Sequence, residues 1–286
     1  MGKLSEALAK GGDDRILTPP LTEKEAVAEV RETPPPPLPT REEGLEALHS
    51  SRQRWDERLL LTTDPYSPLA ENVRRLRAAI LHPPSGPPPR TILITSLAPN
   101  EGKGFVCANL GVALAEGLEH HALMVDCDLR RPSLAGIFGL TNEPGLVDVL
   151  QDNVDLSLVI RKTGQTKLSI ISSGRPPRNP AELLDSKKIV RFIDEVAQRY
   201  DDRIILFDSP PAVVASETGI LSKQVDGVIL VVRWGVSRRE DLQRIIESIG
   251  REKIIGIVFN AYEESRAENL LYRKGAGYHY SKYYSG

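Results

Sequence analysis

The chain has 286 residues, 37 Lys and Arg against 39 Asp and Glu, a formal charge of -2 at neutral pH, and 40% hydrophobic residues. That length fills one large α/β domain with appendages, and the near balance of charge gives no general electrostatic reason to bind nucleic acid or anionic lipid. The longest apolar runs, such as Val228 to Val232, fall far short of the roughly 20 residues that span a bilayer, and Met1 to Lys10 lacks a secretory hydrophobic region; a cytoplasmic protein without direct membrane insertion is expected.

Lys3 to Lys10 can form one short amphipathic helix, marginal by itself. From Gly11 to about Arg41 the chain turns to Pro, Glu, Asp and Thr, with Pro34 to Pro37 in a row, which reads as a disordered linker. Leu45 to Leu61 is weakly helical in pattern. Asp64 to Pro68 then forms a turn that feeds a helix over Pro68 to Leu81, followed by a second proline run at His82 to Pro89. In that helix Glu71, Arg74 and Arg77 recur every three residues on one side, which by spacing alone is a solvated charged stripe.

From Arg90 the pattern changes. Short, nearly continuous β-branched runs at Thr91 to Thr95, Ala122 to Val125, Leu168 to Ile171, Ile204 to Phe207, Val228 to Val232 and Ile254 to Phe259 read as strands buried on both faces. Amphipathic stretches at Cys107 to Glu116, Ser186 to Tyr200, Ser216 to Gln224 and Arg238 to Ile249 alternate with them. The expected fold is α/β, a doubly wound, mainly parallel sheet flanked by helices, with ligands at the carboxyl ends of the strands. Cys107 and Cys127 fall inside core elements and are expected to be buried, reduced thiols.

Between the first strand and its helix lies Leu97-Ala98-Pro99-Asn100-Glu101-Gly102-Lys103-Gly104-Phe105. Strand, loop and helix in this order offer unpaired backbone amides, a partial positive charge and a lysine, which together suit nucleotide phosphate. The match to the P-loop pattern is incomplete. Leu97 stands where the first glycine is usual and Gly104 where a Ser or Thr hydroxyl ordinarily holds Mg²⁺. Two later strands end in aspartate: Asp126, with Asp128 two residues on, and Asp208. Carboxylates at the rim beside a phosphate loop can hold Mg²⁺ or accept a proton, although aspartate also commonly starts a turn. Arg130 and Arg131 fit phosphate contact and surface cover equally well.

The combination of Ala98-Pro99-Asn100-Glu101-Gly102-Lys103, Val125-Asp126-Cys127-Asp128-Leu129-Arg130-Arg131-Pro132 and Phe207-Asp208-Ser209-Pro210-Pro211 resembles the Walker A, A′ and B motifs of the bacterial tyrosine kinases of exopolysaccharide and capsule synthesis. Asn179 to Leu184 and Gly256 to Asn260 also look like segments of that family. The resemblance implies a P-loop NTPase-type domain that binds ATP and Mg²⁺. It implies that Ala98, Pro99, Asn100, Glu101, Gly102, Lys103, Gly104 and Phe105 contact the nucleotide, that Asn260 reads adenine, and that Asp126, Asp128 and Asp208 organise the metal. Lys103, Asp126 and Asp128 would be catalytic, with Asp126 the base for a tyrosine hydroxyl. It further implies that Glu71, Arg74 and Arg77 join subunits into a homo-oligomeric ring. The activator would be a separate membrane chain-length protein, recruiting the kinase peripherally to the inner membrane.

The expected organisation is an N-terminal helix and linker over 1–63, a kinase domain over 64–271 that includes the oligomerisation helix 68–81, and a flexible tail over 272–286. Five of the eight tyrosines, Tyr272, Tyr278, Tyr280, Tyr283 and Tyr284, fall in that tail. They suit either an aromatic binding segment or phosphoacceptors for a neighbouring subunit's site. Two other readings stay open. A degenerate, nucleotide-binding regulator of the same export system would account for Gly104. A partitioning-type P-loop ATPase shares the motifs, but carries a signature lysine where this chain has Ala98.

Overall fold

The computed structural model describes residues 55–200 and 202–261. The segment expected to be helical at 3–10, the proline-rich linker, most of the weak pattern at 45–61 and the tyrosine-rich tail lie outside the described residues. The elements in chain order are α1 (Leu60–Thr63), α2 (Pro68–Leu81), β1 (Thr91–Ser96), α3 (Lys103–Glu116), β2 (His121–Asp126), α4 (Leu134–Ile137), α5 (Leu146–Asp152), α6 (Leu156–Val159), β3 (Arg161–Lys162), β4 (Leu168–Ile171), α7 (Pro180–Leu184), α8 (Lys187–Arg199), β5 (Arg203–Asp208), α9 (Glu217–Gln224), β6 (Gly227–Arg233), α10 (Arg239–Ile249) and β7 (Ile254–Asn260).

The six apolar runs all enter one seven-stranded sheet of order β3-β4-β2-β5-β1-β6-β7, parallel except where β3 lies antiparallel on β4. Because side chains alternate across a strand, each run feeds two cores. Ile92, Ile94, Met124 and Leu206 pack with α3 on one side, while Leu93, Leu123, Ile205 and Phe207 pack with α5 and α8 on the other. Burial on both faces is why these strands read as continuous apolar runs rather than as an alternation. The helix α3 is buried over Val106 to Ala115 and, apart from Asn109, carries no polar side chain on any side of that stretch.

Helix α2 starts as the sequence expects. Ser67 Oγ accepts from Ala70 N at 3.1 Å and Pro68 occupies the first turn, where its missing N–H has no cost. The folded unit, however, takes in residues ahead of position 64. Leu59 and Leu61 are buried in the α3 core, and Trp55 meets Phe138 edge-on with centroids 5.1 Å apart. A polar residue on α3 makes this attachment: Leu60 N donates to Asn109 Oδ1 (2.8 Å) and Asn109 Nδ2 donates to the Arg58 carbonyl (3.1 Å). The sequence pattern also passed over α4, α5, α6 and the two-residue β3, which are too short to show a period. Among the described residues no helix is long and apolar enough to cross a membrane.

Candidate active site

Three neighbouring strands deliver the site. In the sheet β5 lies between β1 and β2, with Asp126 in register with Asp208 across β2 and β5, and Ile94 in register with Asp208 across β1 and β5. Both aspartates therefore sit at the same level, at the carboxyl ends of adjacent strands, beside the loop that leaves β1 for α3. This is the crevice that open α/β sheets use for ligands.

The loop is held in shape by Glu101 and Asn260, side chains that do not line the site's cleft. Asn100 (φ 64) and Gly102 (φ 95) both take the left-handed conformation, the second without a Cβ penalty. Glu101 is almost fully buried. One of its oxygens accepts from Ala98 N (2.9 Å), the other from Arg233 N (3.4 Å) and from the Ser237 hydroxyl, which ties the loop to the end of β6. Asn260, at the end of β7, donates Nδ2 to the Glu101 carbonyl at 2.8 Å. It lies over Gly102 so closely that a Cβ there would come within 3.0 Å of that amide nitrogen. The residue expected to read adenine is, in this geometry, a clamp on the phosphate loop.

The lysine stands between carboxylates. Lys103 Nζ is 2.7 Å from Asp128 Oδ2 and 3.6 Å from Asp208 Oδ2. Burial alone would lower its pKa, but Asp208, Asp128 and Asp126 outweigh that and hold it above the ordinary lysine range. The lysine is thus a fixed cation. The three aspartates expected to organise Mg²⁺ do not share one environment, and among the described residues no group of three or more His, Cys, Asp or Glu comes together as a cluster that could hold a metal by itself. Asp126 is fully buried and faces its own chain: Oδ1 accepts from Asp128 N (3.2 Å) and Oδ2 from Ser133 N (2.9 Å) and Leu134 N (3.0 Å). Burial pushes its pKa up to about 6, with the Leu134 amide and Lys103 acting the other way. Asp128 pairs with the lysine and accepts from Arg131 N at 3.0 Å. Neither oxygen of Asp208, also fully buried, has a hydrogen-bond partner. Burial raises its pKa to about 8, Lys103 opposing and Asp126 and Asp128 adding to the rise.

A cleft of about 770 Å³ opens above this floor. Of the expected nucleotide-contacting residues, Pro99, Asn100, Gly102, Lys103, Gly104 and Phe105 line it, together with Asp128, Arg130 and Arg131. Ala98, Glu101, Asn260, Asp126 and Asp208 are not among the residues that line it. Arg130 is aimed by a salt bridge at 2.9 Å to the buried Glu217. The cleft also takes residues that the motifs did not mark, among them Arg58, Ser133 and Val214. Ser133 follows directly on the Arg130-Arg131-Pro132 run, so its nearness to the motif was a usable signal; Arg58 carries no sequence signal.

This donor set fits Mg²⁺ with a nucleotide. Mg²⁺ takes oxygen ligands and is typically bound through one or two carboxylates plus substrate phosphates, not by an all-protein cage. A buried carboxylate with two unpartnered oxygens, beside a lysine and backbone amides at a helix N-terminus, supplies both requirements. Elsewhere, the Glu71 stripe on α2 is divided. Arg74 lies 3.5 Å from Glu71, whereas Arg77 turns inward and donates Nη1 to the Ala113 carbonyl of α3 at 2.9 Å.

Comparison with known proteins agrees with this architecture. Residues 92–277 match the model of the CobQ/CobB/MinD/ParA nucleotide binding domain. The chain is 30% identical over 229 residues to the tyrosine-protein kinase YwqD of Bacillus subtilis, covering 79% of this chain and 95% of that one. It is also 30% identical to the putative tyrosine-protein kinase EpsB of Ralstonia solanacearum, covering 86% of this chain but 32% of that longer protein. Among solved structures, the kinase domain of the Escherichia coli tyrosine kinase ETK superposes with a TM-score of 0.65 at 25% identity, covering 72% of this chain and 82% of that one. The septum site-determining protein MinD of Pyrococcus horikoshii, complexed with Mg-ADP, superposes at 0.52 and 26% identity, covering 62% and 72%. The chain belongs to the CobQ/CobB/MinD/ParA nucleotide-binding domain family and, within it, to the bacterial tyrosine-protein kinases.

Proposed function

We propose that this chain is an ATP-dependent protein-tyrosine autokinase that phosphorylates tail tyrosines of a neighbouring subunit and regulates polysaccharide polymerisation or export. The observation that carries the reading is Lys103 held at the cleft between Asp128 and the buried Asp208, whose oxygens have no hydrogen-bond partner. When bound, Mg·ATP supplies the γ-phosphoryl group. Lys103 and the loop amides would neutralise phosphate charge, and Asp208, whose oxygens have no hydrogen-bond partner, would hold the metal. Lys103 leaves Asp128 for phosphate, which frees the Asp128 carboxylate on the cleft wall to accept the proton of a tyrosine hydroxyl. The base role thus falls to Asp128 rather than to Asp126, whose oxygens are occupied by backbone amides. Arg130 and Arg131 border the cleft and give it an anion-attracting rim.

The exposed part of the Glu71 stripe supports assembly of copies into a ring, in which Tyr272, Tyr278, Tyr280, Tyr283 and Tyr284 of one copy reach the cleft of the next. A separate membrane chain-length protein is proposed as the activator. The test is incubation of the full chain with Mg-ATP, with and without that partner's cytoplasmic segment, followed by detection of phosphotyrosine. Signal in wild type that is lost in Lys103→Met and in a chain lacking 272–286 supports the autokinase. Signal that survives both changes sinks it. A second reading, a regulator that binds nucleotide without transferring phosphate, draws on Gly104 and is favoured by ADP binding with no phosphotyrosine under either condition.

A further inference from the structure

Position 104 has no side chain, and the space one would fill is already taken. A Cβ built on Gly104 would come within 3.0 Å of the Ser133 hydroxyl and lie 3.4 Å from Asp208 Oδ2. A hydroxyl oxygen therefore stands against the space a side chain at 104 would enter, near the one carboxylate of the site whose oxygens have no hydrogen-bond partner. Ser133 opens α4, at the position where serine ordinarily turns its hydroxyl onto the amides of the first helical turn, yet it makes no such cap bond. Its main chain is held instead, Ser133 N donating to Asp126 Oδ2 at 2.9 Å. The residue lines the cleft with Lys103 and Asp128.

We infer that Ser133 supplies, from the loop after β2, the hydroxyl ligand for nucleotide-bound Mg²⁺ that position 104 lacks. The inference rests on the nucleotide-binding reading above and concerns which residue completes it. A serine hydroxyl is a neutral oxygen donor of the kind Mg²⁺ accepts beside carboxylate and phosphate. Asp126 is then a positioning residue, because by gripping the amides of Ser133 and Leu134 it fixes where that hydroxyl stands. A side chain at 104 and the Ser133 hydroxyl in its present rotamer compete for one volume, so a side chain at 104 would displace that hydroxyl.

That exclusion provides the experiment: equilibrium binding of a fluorescent ADP to the full chain, in Mg²⁺ and in EDTA. Ser133→Ala is expected to lower the Mg²⁺-dependent gain in affinity, taken as the ratio of the Mg²⁺ and EDTA values, by about tenfold or more. Gly104→Ser alone does not raise the gain, since its side chain meets Ser133, whereas Gly104→Ser combined with Ser133→Gly recovers it. Ser133→Cys is expected to lose response to Mg²⁺ and gain response to Cd²⁺, because a thiol ligand prefers a soft ion; a merely structural serine would not produce that exchange. An unchanged Mg²⁺ gain in Ser133→Ala, or a Ser133→Cys variant without the metal exchange, overturns the inference. Lys103→Met separates it from the underlying reading. If Lys103→Met binds ADP as wild type does, the nucleotide site itself is wrong; if it loses ADP while Ser133→Ala keeps the full Mg²⁺ gain, only the role of Ser133 is refuted.

Discussion

Asp208→Asn is expected to change the pH dependence of stability in a defined window. Asp208 is fully buried, its oxygens have no hydrogen-bond partner, and the Lys103 ammonium at 3.6 Å is shared with Asp128 at 2.7 Å. Burial lifts its pKa from the ordinary 3.8 to about 8, while Asp126 rises to about 6. A folded-state pKa above the unfolded value means that the native state binds more protons between pH 3.8 and about 8, so stability falls as pH rises through that range. Below about pH 6 Asp126 contributes in the same direction, but from about 6 to 8 the slope belongs to Asp208. One proton across two pH units bounds the effect at about 2.7 kcal/mol. Metal-free wild type should therefore lose about 1 to 2.5 kcal/mol relative to Asp208→Asn between those limits. Urea unfolding of both proteins in EDTA, at several pH values, measures the difference and cancels the groups that do not interact with Asp208; Asp126, which does, titrates mainly below this window. Parallel profiles would mean that Asp208 is ionised and adequately paired in the fold, and the argument from its orphaned oxygens would fail.

Lys103→Met leaves Asp128 and Asp208 without their shared cation; it should cost about 3 kcal/mol of stability at neutral pH, and a melting temperature equal to wild type would contradict the ion-pair geometry. Asn260→Ala removes one hydrogen bond from the phosphate loop, about 1 kcal/mol, and should weaken ADP about fivefold with the preference for ADP over GDP unchanged. Loss of that preference in titrations would return Asn260 to base recognition. On α2 the two arginines should separate. Arg77→Ala breaks the bond to the Ala113 carbonyl and should destabilise the domain by about 1 to 2 kcal/mol, whereas Arg74→Ala should shift only the oligomeric state in light scattering, with less than about 0.5 kcal/mol on unfolding. Equal effects of both on unfolding would show that the stripe is not divided.

The sequence by itself determined the sheet and the identity of the pocket. Runs such as Ile204 to Phe207 and Val228 to Val232 are apolar on both faces because each strand is covered on both sides, and that signal is local. The loop Ala98 to Lys103 and the strand-terminal aspartates were legible for the same reason, since strand ends and a loop-to-helix junction are fixed by neighbours in the chain. Tertiary structure decided what each group faces. Asp126 and Asp208 end adjacent strands in the same register, yet one is surrounded by backbone amides and the other by none. Residues 55–63 join the domain through Asn109, a contact 49 positions away in sequence that no periodicity reveals. Gly104 reads in sequence as a lost hydroxyl. In space Ser133, brought over from the end of β2, fills the volume that the glycine leaves open, because chain crossings in a doubly wound sheet bring separate loops to the same strand ends.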